Sequence, residues 1–203
     1  MDLVTQEVMN WPVGPDQNSE EWRAQARLGI AIFSMQVWCE RLRYPGRIYT
    51  LITRCTSKKA NLTSLCIERC LRAIKADGLL EGIQQIVVWS DGASHFISKT
   101  SITLYAYRIP QFFQVNVRQR RGPPNHLKAD VDRFFRWLSW IVNEARREMV
   151  LNNVQLAMRI FNEASASPHN FAYSETCFID FLPQTSMEAM EKQLPPSMAP
   201  PWP

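Results

Sequence analysis

The apolar run "IQQIVVWSD" ends in a carboxylate, Asp91, with Gly92 directly after it and His95 close behind. A second acid, Asp2, stands near the start of the sequence, and Asp130 and Asp132 open a segment whose apolar residues recur at helical spacing. Carboxylates brought to one point repel each other unless cations lie between them, and all-oxygen ligand sets suit hard divalent ions. Two such ions about 4 Å apart activate water or a 3′-hydroxyl and stabilise the leaving oxygen of a phosphodiester. Asp2, Asp91 and one of Asp130 and Asp132 are therefore the candidate catalytic and metal-binding residues, and two Mg²⁺ or Mn²⁺ ions are the expected cofactors. His95 and His126 are candidates to orient a metal-bound water or a phosphate. Simpler roles stand beside these: Asp91 before Gly92 also suits the end of a strand or a helix cap, and His95 beside Phe96 also suits packing.

These acids need rigid elements to hold them. The segments "LGIAIFSMQVW" and "RIYTLIT" are rich in branched and aromatic residues, and "RYPG" between them supplies a turn, which predicts a hairpin. From Asn61, apolar positions at three- and four-residue spacing predict a helix that stops at "ADG", Ala76 to Gly78. "IQQIVVWSD" is apolar on both faces, as a central strand covered on each side should be. A helix over 98–107 and an alternating strand in "QFFQVNVRQ" follow, and then the clearest helix, from near Leu127, with Val131, Phe134, Phe135, Leu138, Ile141, Val142 and Ala145 in one stripe. A further helix over 152–164 and a strand-like "TCFIDFL" complete the body. Trp89, Trp137 and Trp140 are expected in the core.

The order of elements, strands first and then alternating helices and strands, predicts an α/β fold. Its sheet is expected to be mixed and five-stranded, with three antiparallel strands, and flanked by helices, the ribonuclease H-like arrangement. There the first strand lies beside the strand ending at Asp91, and the last core helix brings the third acid.

With 203 residues and 46% hydrophobic content, the chain can bury one sizeable core. Residues 1–183 are read as one domain, and 184–203, with "LPPSMAPPWP", as a proline-rich disordered tail. The net charge of +4 is small, but Lys99, Arg108, Arg118, Arg120, Arg121, Lys128, Arg133, Arg136, Arg146 and Arg147 concentrate in one half, where a phosphate backbone would go. The five cysteines show no zinc-knuckle spacing and are expected as reduced thiols. No apolar run approaches the roughly 20 residues of a membrane span, so an intracellular, nuclear protein is expected, with DNA as partner, a homo-oligomer as an open option, no membrane and no small-molecule substrate.

"VVWSDGASHFISKT" resembles the "WSDG…HFK" segment of ribonuclease H-like transposase-derived proteins of eukaryotic mobile elements, the DDE/D type. "PNHLKADVDRFFRWL" resembles their "GHGKGxxDxxxG" segment, and "MDLVTQEVMNWPVGP" is similar to their first-strand segment. The resemblance reaches from Asp2 to about Arg147 and implies a metal-dependent transposase or integrase-like nuclease domain acting on DNA. It aligns Asp2, Asp91 and Asp132 with the metal-binding acids and His126 and Lys128 with the histidine and lysine, while Leu127 and Asn125 stand where the pattern has glycine. His95, Lys99, Arg118, Arg120 and Arg121 are expected to support or bind DNA. A fragment or decayed copy, or a catalytically inactive module that keeps the fold for nucleic-acid or protein binding, is the alternative.

Overall fold

In the computed structural model, residues 2–11, 28–42, 46–53, 60–90, 93–122, 130–148, 154–166 and 177–182 are described. The predicted hairpin is formed by β2 (Leu28–Val37) and β3 (Arg47–Thr53), antiparallel from Val37 opposite Arg47 to Ala31 opposite Thr53. Side chains of a strand alternate between faces, so each strand feeds two cores. Phe33, Met35, Val37, Tyr49 and Leu51 enter one cluster, and Ile32, Ile48 and Ile52 enter the other. Gly46 starts the return with φ of +94°, and a side chain there would collide with the Val37 carbonyl oxygen.

β1 (Asp2–Trp11) pairs antiparallel with β2, with a register shift between Val4 and Glu7. β4 (Gln85–Ser90) runs parallel to β1, and β5 (Asn116–Arg121) runs parallel to β4. The expected five strands become six, because β6 (Cys177–Leu182), the "TCFIDFL" segment, pairs in parallel with β3. Every residue of β3 from Ile48 to Thr53 is buried, and an unpaired ladder along such a strand would leave N–H and C=O groups unsatisfied. The spatial order is β5-β4-β1-β2-β3-β6.

Helix α1 (Ala60–Ala76) lies against one face through Leu62, Leu65, Cys66, Cys70 and Ile74. Its end follows the expected stop: the Gly78 N–H donates to the Lys75 carbonyl and the Leu79 N–H to the Ile74 carbonyl, with Gly78 at φ of +75°. The same layer holds α2 (Ser94–Ile97) and a continuous helical stretch made of α3 (Lys99–Thr103), a π turn (Leu104–Arg108) and α4 (Ile109–Phe113). This stretch is longer than expected, and Phe113 belongs to it rather than to the next strand. Pro110 lacks an N–H, and the widened turn absorbs it, with the Ile109 N–H reaching the Leu104 carbonyl. Gln114, left-handed at φ of 56°, ends the stretch, and β5 begins at Asn116.

The other face of the sheet carries α5 (Asp130–Glu148) and α6 (Val154–Ala166). Phe134, Phe135, Leu138, Ile141 and Val142 of α5 form the expected stripe and meet Ile32, Ile48 and Ile52, with Ala157 and Phe161 added by α6. Full burial of side chains such as Phe134 and Leu138 contributes roughly 2–3 kcal/mol each. Trp137 packs partly against this cluster, but Trp140 is 52% exposed, a correction to its expected core position. The product is an α/β fold, one mixed sheet between two helical layers. Among the described residues no helix is long and apolar enough to cross a membrane. Cys66 and Cys70 are buried and in no disulfide, and residues 183–203, the proline-rich segment included, lie outside the described residues.

Candidate nucleic-acid interface

β4 is central, as expected, but its two faces are covered unequally. Ile86, Val88 and Ser90 are buried on the α1 side, whereas Val87 and Trp89, which alternate with them, are half-buried on the other. The physical reason is lateral: the core of α5 stands over β2 and β3, leaving the β4–β5 half of that face more open among the described residues.

β5 completes this half as the sheet's edge. Val117 packs toward the α1 cluster, and the Gln119 side-chain amide on the same side donates to the Phe96 carbonyl at 2.9 Å. Alternation therefore puts Arg118 and Arg120 on the α5 side, opposite Val87 and Trp89. Both arginines are exposed, and the Arg120 guanidinium carbon lies 5.1 Å from the centre of the Trp89 ring. Neither makes an ion pair with a described side chain, which leaves two cations for an anionic partner. Arg121, also exposed, takes the opposite face beside Ser90, whose carbonyl accepts the Gly122 N–H at 3.0 Å.

Strand pairing extends this patch across the sheet. Asp2 is the register partner of Trp89 on one side and of Gln36 on the other, so one row runs Arg120, Trp89, Asp2, Gln36, Ile48. Leu3 pairs with Ser90, the residue immediately before Asp91 in the chain. In the neighbouring row Ser34 and Thr50 share a buried hydrogen bond of 3.0 Å between their hydroxyls.

The candidate residues divide accordingly. Arg118 and Arg120 share a surface, and the backbone of Asp2 lies in the same row as Arg120. Asp130 and Asp132 are in the first turn of α5, described by their backbone. Asp91, His126 and Lys128 lie outside the described residues. His95 is half-buried in α2, its ring 4.3 Å from that of Phe96, and its carbonyl accepts the Ser101 hydroxyl at 2.6 Å. Lys99 opens α3 in the α1 layer, away from the face that carries Arg118 and Arg120. Arg108 drops out of the basic half: its guanidinium is held at 2.8 Å by Glu68, which also meets Arg72 at 2.8 Å.

Sequence reasoning missed Trp89 as a partly open group, because Val87, its neighbour on the less covered face, is apolar and the one polar residue of "VVWS", Ser90, turns to the buried side. Among the side chains described, no three His, Cys, Asp or Glu groups gather. Neither comparison with protein families nor comparison with curated proteins returned a match.

Proposed function

We propose that the chain is a ribonuclease H-like domain, related to the transposases of eukaryotic mobile elements, that binds DNA and performs phosphodiester cleavage and strand transfer in the nucleus. The observation that carries this reading is the pairing of β1 with β4. In the sheet order β5-β4-β1-β2-β3, β4 runs parallel to β1 and β1 to β3 are antiparallel, with Asp2 beside Trp89 and Leu3 beside Ser90. Asp91 follows Ser90 directly, so chain connectivity ties two acids to neighbouring strands.

Asp130 or Asp132 brings the third carboxylate from the helix packed on the same face as Ile48, a member of the Asp2 row. Carboxylate oxygens from two strands and a helix are a donor set suited to Mg²⁺ or Mn²⁺. When bound, two such ions supply activation of water or a 3′-hydroxyl and stabilisation of the leaving oxygen. Arg118 and Arg120 give the cationic face of β5 along which the phosphate backbone lies, with Arg121 at the end of the strand on its other face.

The test is nicking of supercoiled DNA with Mg²⁺ or Mn²⁺ by the wild type and by Asp91→Asn. Metal-dependent nicking that disappears in the variant while DNA binding persists supports the nuclease. Equal nicking by both proteins overturns it. DNA binding by both without nicking assigns the inactive binding module instead.

A further inference from the structure

We infer that the β4–β5 half of the sheet, the more open half of its face among the described residues, seats a single strand of DNA, one base stacked on the Trp89 indole and flanking phosphates on Arg118 and Arg120. This deepens, and rests on, the DNA-processing reading proposed above.

The argument starts from the pairing of an aromatic ring with cations in one row. Trp89 is half-buried, so its ring is fixed from below by the sheet while part of it stays accessible. Arg120 covers it at 5.1 Å, an exposed cation–π contact, and such contacts are weaker than stacking of a nucleobase on an indole. An arriving base displaces the guanidinium, which is then free to take a phosphate. Arg118 stands two residues along the same strand, about 6.8 Å away by strand geometry, so a second phosphate contact lies on the same line.

A duplex cannot use this arrangement. Its bases present edges to the grooves and hide their faces in the stack, whereas an unstacked base offers its π face to a tryptophan. Arg118 and Arg120 have no carboxylate partner among the described side chains, so the patch is complementary to a phosphate chain.

The experiment is fluorescence anisotropy on the full chain with a labelled DNA strand of about 12 nucleotides, the RNA of the same sequence and the DNA duplex, across a salt series. Single-stranded DNA is expected to bind more tightly than the other two. Trp89→Ala is expected to weaken it roughly tenfold, and Trp89→Phe by less than about threefold, because a phenyl ring still stacks. Arg120→Ala is expected to lower the salt slope by about 0.7, while Arg159→Ala, at an exposed position of α6 beside Glu163, leaves binding unchanged. Duplex or RNA bound as tightly as single-stranded DNA overturns the inference. So does an unchanged salt slope in Arg120→Ala, an exposed substitution that does not depend on Trp89→Ala folding. Nicking measured on the same proteins separates the two claims: nicking lost in Asp91→Asn without single-strand preference sinks this inference alone, and single-strand preference without nicking sinks the nuclease alone.

Discussion

The Arg108 guanidinium meets the Glu68 carboxylate at 2.8 Å, joining the π turn to the middle of α1. Glu68 is only 3% exposed, and its second oxygen is held by Arg72, one helical turn further on. Removing one member of a buried pair strands the other charge, which costs about 3–5 kcal/mol. Glu68→Ala is therefore expected to lower the unfolding free energy by about 3 kcal/mol in urea titrations. Arg72→Ala, at a half-exposed guanidinium, should cost under about 1 kcal/mol. A Glu68→Met, Arg108→Met double variant, which removes both charges, should be more stable than Glu68→Ala.

Two glycines with positive φ should respond differently to the same substitution. At Gly46 (φ of +94°) a Cβ would run into the backbone of Val37 and the ring of Trp38, while at Gly78 (φ of +75°) the nearest group is the flexible Glu81 carboxylate at 3.6 Å. Backbone strain alone costs roughly 1–3 kcal/mol at such positions. Gly78→Ala is expected near 1 kcal/mol, and Gly46→Ala above 2 kcal/mol because β2 and β3 must also part. Thermal unfolding of both variants measures the difference.

Of the five tyrosines, Tyr49 and Tyr105 should resist alkaline titration. Burial pushes both phenols well above their ordinary range, and at Tyr49 the hydrogen bond to Asp77 at 2.6 Å adds to it. A pKa raised on folding contributes stability that is complete below the unfolded value of about 10 and is lost as pH rises through the folded value. Phenolate absorbance should therefore report Tyr49 and Tyr105 only as the protein unfolds. Tyr49→Phe should reduce the alkaline loss of stability. Early ionisation of all the tyrosines in a still-folded protein would contradict this.

Local patterns in the sequence were legible where local physics decides. The "ADG" stop after α1 is a left-handed glycine cap, and the stripe from Phe134 to Val142 is the face α5 buries. Pro110 misled because a proline reads as a helix breaker, while the π turn before it carries the helix on to Phe113. Trp89 and Trp140 were misjudged for a different reason. Whether an aromatic ring is covered depends on which strands a distant helix lies over, and that is settled by tertiary packing. The neighbourhood of β1 and β4, by contrast, was legible in the order of elements, whereas the register that sets Asp2 opposite Trp89 is a long-range pairing that no window of sequence contains.

The choice between Asp130 and Asp132 can be sharpened from the helix they open. Position 130 stands one turn before Phe134, which is fully buried toward β2 and β3, and position 132 stands one turn before Arg136, which is exposed. By helical spacing, position 130 lies closer than position 132 to the middle of the buried stripe from Phe134 to Val142. The resemblance of "PNHLKADVDRFF" to the transposase segment points instead to Asp132. Under the nuclease reading, Asp130→Asn is expected to lower metal-dependent nicking on the order of 100-fold or more, and Asp132→Asn by much less. Circular dichroism should show both variants folded, since both positions lie in the first turn of α5. The reverse ranking would show that the sequence alignment, rather than helix geometry, identifies the third acid.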